Sequence, residues 1–324
     1  MSYAQYGLIE ASDFNSLVGS ATNNGNTAAV NTLNAVWATG NGAAGYGQTA
    51  VTQVSAGDIV AAAKWNNLVT YTSNCASHQG TSITAVTAPS AGDTITYRSA
   101  IPTNLSSIYT SRLNAAGQSG TTSNAVTTAT TFNDFATFTH TATFANADAA
   151  RHFFNAGGQL KITVAQTVNS STIDALFVNL CSNVGTVVVS SLGNSSTISV
   201  NGSTFSGVTK VGGGGNSPTI DATKGYYGLS TANATIFTQV TSQGPSGYLN
   251  SFIRVIAKTN GTQGSNNDNG TVVTLYTIFD EDQNGFAVSA GSRTTLTVTY
   301  PTTTYLANTW GTVSLAGSVT TANV

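Results

Sequence analysis

The sequence predicts an α+β fold that is mainly β, with an N-terminal helical segment followed by an antiparallel β-sandwich-like domain. Residues 1–80 carry apolar side chains at helical spacing, whereas apolar and polar side chains alternate with a period of two from residue 131 onward. Asn-Gly pairs and glycine-rich turns separate the alternating stretches. These observations divide the chain into a helical docking segment (1–80), a linker with an amphipathic helix (81–130) and a β-rich sandwich domain (131–324).

Three helices are predicted in the docking segment. The first is capped by Ser12 or Asp13 and ends at Gly19, the second covers residues 27–39, and the third begins at a cap in residues 55–58. Each carries one large aromatic side chain that we expect to anchor it: Phe14, Trp37 and Trp65. The stretch between the last two helices is rich in glycine but lacks the lysine of a phosphate loop, so it is interpreted as a connector.

The linker contains one amphipathic stretch. Leu105, Ile108 and Leu113 follow the spacing of one helix face, which predicts a helix over about 104–116. Residues 118–130 are polar and of low complexity, so a loop is expected there.

The remainder of the chain reads as a series of short strands. The first group surrounds Phe132, Phe135, Phe138 and Phe144. Further strands are predicted at residues 160–168, 175–180, 184–189, 197–205, 236–240, 251–258, 271–279 and 294–299. Many short strands with turns between them favour an antiparallel sandwich.

The densest cluster of aromatic and charged residues lies in the stretch 147–162. Its pattern predicts a short helix, a two-glycine stop and then a strand, with Asp148 in the first turn where an acid suits the helix dipole. Gly157 and Gly158 are expected to take the positive φ angles that end a helix. We expect a structural role for the motif residues Arg151, His152, Phe153, Phe154, Asn155, Gly157 and Gly158.

The composition excludes several functions. Only 7% of the residues are charged, against about 25% in an average soluble domain, so hydroxyls and amides must solvate the surface. Low charge repulsion eases self-association, although a plain extracellular β-protein would have a similar composition. Nucleic-acid binding needs clustered cations, and a membrane span needs a long apolar run; neither pattern occurs, nor does a secretory signal. Cys75 and Cys181 are expected to be buried free thiols.

One stretch has the residue order of a calcium loop. Asp280, Asp282 and Asn284 stand at alternate positions before Gly285, but Gly291 replaces the closing glutamate. A hairpin turn with its apex at residues 284–285 explains the same residues, and no metal or cofactor is expected.

Other side chains admit both a chemical and a structural role. His152 follows Asp148 by about one helical turn, but no nucleophile elbow is present, so a structural histidine and no enzymatic activity are expected. Four tyrosines could stack on sugars or could pack in the core or at an interface: Tyr226, Tyr227, Tyr248 and Tyr305.

Three stretches resemble one family. Residues 7–15, residues 36–48 and the run Ala149–Gly158 are similar to segments of virion structural proteins of tailed bacteriophages, especially those of marine and cyanobacterial hosts. The resemblance covers about the first 165 residues well and the rest loosely, and the Arg-aromatic-Phe-Asn-Ala-Gly-Gly motif is its most specific part.

The resemblance implies a structural role without catalysis, in the virion. We expect a homo-oligomer, a trimer or higher, that forms a tail or neck fibre, spike or collar appendage and contacts other virion proteins. A capsid decoration protein is the alternative within this class. A receptor-binding module for host surface glycan and an enzyme that degrades host polysaccharide are the alternatives outside it.

Overall fold

Two large antiparallel sheets, one two-stranded sheet and a group of helices make up the computed structural model. It describes residues 11–21, 31–90, 93, 99–116, 121–129, 131–193, 196–241, 250–261, 270–281, 287–300 and 304–322. The helices in these ranges are Ala11–Val18 (α1), Leu33–Val36 (α2), Ala62–Gln79 (α3), Ala100–Thr110 (α4), Ala147–Asn155 (α5) and Thr172–Val184 (α6).

The strands follow mainly in the second half of the chain. They are Thr121–Thr128 (β1), Phe135–Thr143 (β2), Gln159–Gln166 (β3), Thr186–Val189 (β4), Ile198–Val200 (β5), Ser203–Phe205 (β6), Val208–Val211 (β7), Thr219–Ile220 (β8), Ala234–Val240 (β9), Phe252–Thr259 (β10), Val272–Asp280 (β11), Ser292–Tyr300 (β12) and Ser314–Ala322 (β13). Strand outweighs helix, which confirms the predicted mainly β class.

The two large sheets share one core. One sheet has the order β1-β12-β3-β4-β7 and the other the order β13-β2-β11-β10-β9-β8, with all neighbouring strands antiparallel. Every second side chain of β2, β10 and β11 is buried, including Phe138 and Leu275, and Leu160 and Leu296 of the first sheet are buried against them. Because β1 lies beside β13 and β7 beside β8, the sheets meet at both edges and enclose this core.

Helix α6 corrects one prediction, because residues 175–180 were expected to form a strand. Ser171 caps the helix by accepting a hydrogen bond from the Asp174 amide, at 3.1 Å. The helix packs against β3, and its Phe177 ring contacts Phe132 and Phe279 from the sandwich core. The aliphatic residues of this stretch follow a helical period on the buried face, which the strand interpretation overlooked.

Other boundaries also differ from the predictions. Residues 118–130 were expected to form a loop, but they contain β1, whose threonine-rich sequence pairs with β12 along its length. The linker helix begins and ends earlier than the predicted 104–116. The described part of the second predicted helix, 27–39, has helical structure only in the single turn α2. Strands β7, β8 and β13 were not predicted.

The predicted helix starts need correction at two places. Ser12 and Asp13 lie inside α1 rather than capping it, although the helix does end before Gly19, which has a φ of 76°. Residues 55–58 form a separate turn closed by the Asp58 carboxylate, which accepts from the Ser55 amide at 3.0 Å. Helix α3 therefore begins only at Ala62, and Ile59 stands 90% exposed ahead of it.

A small second core lies on the outer face of the five-stranded sheet. Strands β5 and β6 form a hairpin whose Val200 and Phe205 pack with Val188 of β4. Residues 113–116 join this cluster, since the Ala115 amide donates to the Ser199 carbonyl at 2.9 Å. The hairpin therefore covers part of a sheet face that would otherwise be open.

Cys75 and Cys181 are both buried free thiols, as predicted, and burial raises the pKa of each.

Among the described helices, none combines the length and apolar character needed to cross a bilayer.

Candidate functional site

The polar and aromatic residues of the motif lie on α5 and on the turn that follows it. The Asn146 side chain caps α5 by accepting from the Ala149 amide at 2.8 Å. Gly157 has the predicted left-handed conformation, with a φ of 86°. Gly158 lacks a positive φ; it is required instead because a side chain there would collide with the ring of Phe153. The predicted helix, stop and strand are therefore confirmed, with a different reason for the second glycine.

Arg151 lies at the centre of the site with its side chain fully buried. Its guanidinium donates to the carbonyl oxygens of Ala44 at 2.6 Å, Thr39 at 2.7 Å and Gly42 at 3.2 Å. It also donates to the Asp148 carboxylate one turn back, at 2.8 Å. All three carbonyls belong to residues 38–48, which we call the glycine-rich loop. The buried cation therefore holds a loop that is more than a hundred residues distant in sequence.

Two further residues of α5 hold the same loop. The Asn155 amide nitrogen donates to the carbonyl oxygens of Gly45 at 3.1 Å and Gly42 at 3.2 Å. The His152 Nε2 lies 3.1 Å from the Thr39 carbonyl oxygen and 3.3 Å from the Arg151 Nη2, so the ring sits between the loop and the guanidinium. Burial and the adjacent Arg151 charge lower the pKa of His152 to about 4, so the ring is neutral near pH 7.

Backbone hydrogen bonds join the two ends of the glycine-rich loop. The Tyr46 amide donates to the Val36 carbonyl at 2.9 Å, and the Gln48 amide donates to the Trp37 carbonyl at 3.0 Å. Gly45 has a φ of 99°, and a side chain on it would collide with the Thr39 carbonyl. Glycine is therefore required where the backbone turns back on itself and aims its carbonyls at Arg151.

The loop also binds elements other than α5. The Tyr46 hydroxyl donates to the Arg112 carbonyl and accepts from the Gln79 amide, at 2.8 Å and 2.9 Å. Gln48 exchanges two hydrogen bonds with the Ala307 backbone, each of 2.9 Å. The interpretation of this stretch as a connector was therefore incomplete, because the loop joins the N-terminal helices, α5 and the C-terminal segment.

The paired phenylalanines of the motif pack against other aromatic rings of the core rather than against the glycine-rich loop. Phe153 packs edge-on against Phe154, with ring centroids 5.0 Å apart, and also contacts Phe144 and Trp310. Phe154 stacks on Tyr226 with centroids 4.1 Å apart. These rings wedge α5 against the strands and the C-terminal segment.

The tyrosines considered for sugar stacking differ in exposure. Tyr226 is buried beneath Phe154, and the Tyr227 hydroxyl lies 2.8 Å from both the Gly42 carbonyl oxygen and the Asn155 Oδ1. These two therefore pack inside the protein. Tyr305 is 43% exposed, and Tyr248 lies outside the described residues.

The aromatic residues expected to mark the docking helices are also buried. Phe14 meets Trp65 edge-on, with ring centroids 5.3 Å apart. Trp37 stacks on Tyr71 of α3 with centroids 4.3 Å apart. They pack the helices of the chain against one another, so any docking on a particle must use other side chains.

Side-chain amides of Asn and Gln pair with backbone groups of distant residues, a role that the sequence analysis did not identify. Asn34 donates to the Val51 carbonyl at 2.9 Å and accepts from the Val51 amide at 3.0 Å, as a neighbouring strand would. The same two-way pairing joins three other pairs: Asn15 with Val54, Asn104 with Thr84, and Gln48 with Ala307. A polar residue on the apolar face of a predicted helix, such as Asn34 or Asn104, was the available signal.

The calcium-loop candidate is only partly described. Asp280 ends β11, whereas Asp282 and Asn284 lie outside the described residues. Among the residues with described positions, no group of three or more His, Cys, Asp or Glu side chains is arranged to hold a metal ion.

Comparisons of the chain with protein-family models, with curated proteins and with solved structures find no match. A functional assignment must therefore be argued from the chemistry and geometry of this chain.

Proposed function

We propose that the protein is a structural component of a bacteriophage virion that assembles with copies of itself into an appendage such as a fibre, spike or collar. The observation that carries the proposal is the solvent-facing side of the six-stranded sheet, together with the low charge of the chain. The inward use of Arg151, the motif cation, agrees with a structural role for the motif.

The outer face of β10 and β11, which we call the outer sheet face, is apolar for a surface. Its half-buried residues alternate with the buried core residues along both strands. They include Phe252, Ile256, Tyr276 and Ile278. An apolar stripe of this kind on a sheet is typical of a surface that packs against another protein.

The cations of β10 on this face, Arg254 and Lys258, lie over aromatic rings. The Arg254 guanidinium carbon is 4.2 Å from the centroid of the Phe252 ring, and the Lys258 Nζ is 5.5 Å from that of Tyr276. Threonines of the adjacent strand β2 extend the face with short, weakly hydrated side chains. A second copy could therefore approach without displacing a layer of tightly hydrated charge.

Low overall charge supports association of identical copies. The formal net charge is -2 for 324 residues, so repulsion between copies is small. In an assembly with several copies, a weak interface at each copy is reinforced by avidity. Low charge and avidity would favour a capsid decoration protein in the same way, so capsid decoration is the second candidate. The site of attachment on the virion distinguishes the two.

The test is the oligomeric state in solution and its dependence on this face. We expect light scattering to give a mass of at least three times the 32.9 kDa of one chain at micromolar concentration. The double variant Ile256→Glu/Ile278→Glu should shift the protein toward the monomer, because it places unpaired charges in the interface. Asn67→Glu, at an exposed position of α3, is the matched control and should leave the mass unchanged.

A wild-type protein that remains monomeric, or an equal effect of the control variant, would overturn the proposed assembly. Labelling of purified particles with an antibody against the chain tests the virion assignment separately. Label on the tail or neck supports an appendage, label over the shell supports decoration, and its absence from particles removes the virion assignment.

A further inference from the structure

A cavity of about 250 Å³ opens on the outer side of the five-stranded sheet, between β3, β4, β7 and the β5–β6 hairpin. It is formed because the hairpin covers only part of that face and rests on its small second core. The side chains that matter for its chemistry are Gln159, Lys161, Val188, Asn201, Phe205 and Val211. Its size suits a small organic molecule rather than a protein segment.

Two of the side chains that line the cavity, Gln159 and Lys161, carry hydrogen-bond donors. Gln159 is 3% exposed, and its amide nitrogen has no hydrogen-bond partner among the described residues. An unpaired buried donor is costly; the nitrogen is itself shielded from solvent, and a rotation of the Gln159 side chain toward the cavity would let an acceptor on a ligand remove that cost. Lys161 stands two residues further along the same face of β3 and brings a positive charge to the same cavity.

Apolar side chains form much of the remaining lining. They are Val188, which lies beside Lys161 on the neighbouring strand, Phe205 and Val211, and they stand among the polar Thr186, Asn201 and Ser203. Val211 is 47% exposed although it is a large aliphatic residue on a strand. None of the described residues lining the cavity is acidic. Burial also lowers the pKa of Lys161 from its ordinary value, as expected for an ammonium that lacks an anion beside it.

We propose that this cavity binds a small organic carboxylate, with the carboxylate against Lys161 and Gln159 and an apolar body between Val188, Phe205 and Val211. The charge and the unpaired donor select the anion, and the walls select the apolar body. This site does not depend on the assembly proposed above, because it lies on the other sheet.

The probe is hexanoate, measured by calorimetry and by ligand-observed NMR on the full chain. We expect a Kd on the order of 1 mM, the affinity reasonable for about eight non-hydrogen atoms. Hexanamide, which has the same shape but no charge, should bind at least tenfold more weakly. Glucuronate, which carries its carboxylate on a polar body, should also bind at least tenfold more weakly.

Two variants and one control test the assignment of residues. Lys161→Met should weaken hexanoate binding at least tenfold. Val211→Glu, a change at a half-exposed position, should also weaken hexanoate binding at least tenfold, because it places a second negative charge beside the ligand carboxylate. Lys210→Met changes a lysine of the neighbouring strand β7 that does not line the cavity, and it should leave binding unchanged.

Circular dichroism on each variant establishes that the fold is retained. Equal binding of hexanoate and hexanamide would overturn the role of the charge. Tighter binding of glucuronate would overturn the role of the apolar walls. No detectable hexanoate binding at 10 mM, or equal losses in Lys210→Met and Lys161→Met, would overturn the site itself.

Discussion

Replacement of Arg151 by methionine tests whether the motif arginine holds the glycine-rich loop in place. Methionine keeps a similar length of unbranched chain but removes every donor. The Gly42 carbonyl keeps its hydrogen bond from Asn155 and the Thr39 carbonyl keeps the His152 Nε2 at 3.1 Å, whereas the Ala44 carbonyl loses its 2.6 Å bond to the guanidinium.

Arg151→Met is expected to lower the free energy of unfolding by about 3 kcal/mol. A hydrogen bond from a charged donor contributes about 1.5–3 kcal/mol, and a buried acceptor left unpaired costs about 1–3 kcal/mol. The variant also relieves the desolvation penalty of a buried cation, which offsets part of the loss. Asp148 adds little, because its side chain is 40% exposed and water can replace the arginine.

Urea unfolding followed by circular dichroism measures this loss as a shift of the midpoint at constant slope. Two variants serve as comparisons. Arg293→Met removes an exposed arginine and should change stability by less than about 0.5 kcal/mol. Asp148→Asn keeps the acceptor oxygen and should cost less than about 1 kcal/mol. If Arg151→Met is within about 1 kcal/mol of wild type, the loop does not depend on the arginine and the reasoning fails.

Three further predictions concern amides, glycines and histidines. Asn34→Ala removes the pairing with Val51 and should cost about 3 kcal/mol in urea unfolding, against almost nothing for the exposed Asn67→Ala. Gly45→Ala should cost at least about 2 kcal/mol, because its Cβ would meet the Thr39 carbonyl, whereas Gly42→Ala, with open space around it, should cost about 1 kcal/mol; equal costs would contradict this account. Burial lowers the pKa of His78 and His152 to about 4, so the unfolded chain binds protons that the folded chain excludes between pH 6.5 and 4. Stability should therefore fall by about 2 kcal/mol per histidine from pH 7 to pH 5, and an unchanged urea midpoint over this range would refute the prediction.

The sequence could predict α5 and its stop because the signals are local. The first-turn acid Asp148 and Gly157 both lie within about one turn of the helix ends that they mark. The strands β10 and β11 were also predictable, since each buries every second side chain against one core.

The misassigned elements are those in which tertiary packing decides between two local patterns. Residues 175–180 contain an aliphatic run that suits a strand, but α6 is selected because Ser171 caps it and Phe177 fills the core between Phe132 and Phe279. In β1, a polar sequence that resembles a loop becomes a strand because β12 offers it a partner.

The site around the glycine-rich loop could not be assembled from sequence, since its partners are distant along the chain. Arg151 and Ala44 are 107 residues apart, and Gln48 and Ala307 are 259 residues apart. No local pattern states which carbonyl a buried donor will meet. The motif residues could be identified as unusual, but not their common target.

The use of the polar groups follows from the scarcity of charge. Interior backbone groups outside regular structure need partners, and here Asn and Gln side chains supply them in pairs, as at Asn34 and Asn104, while a single guanidinium serves three carbonyls at once. Neutral amides perform this task with a smaller desolvation penalty than ions, so the chain can hold irregular loops without many buried charges. Because charged residues are scarce throughout the chain, the outer sheet face also has few strongly hydrated groups. A chain that fixes its loops with amides therefore also presents surfaces on which its own copies can pack, which is why the light-scattering measurement tests the central physical argument.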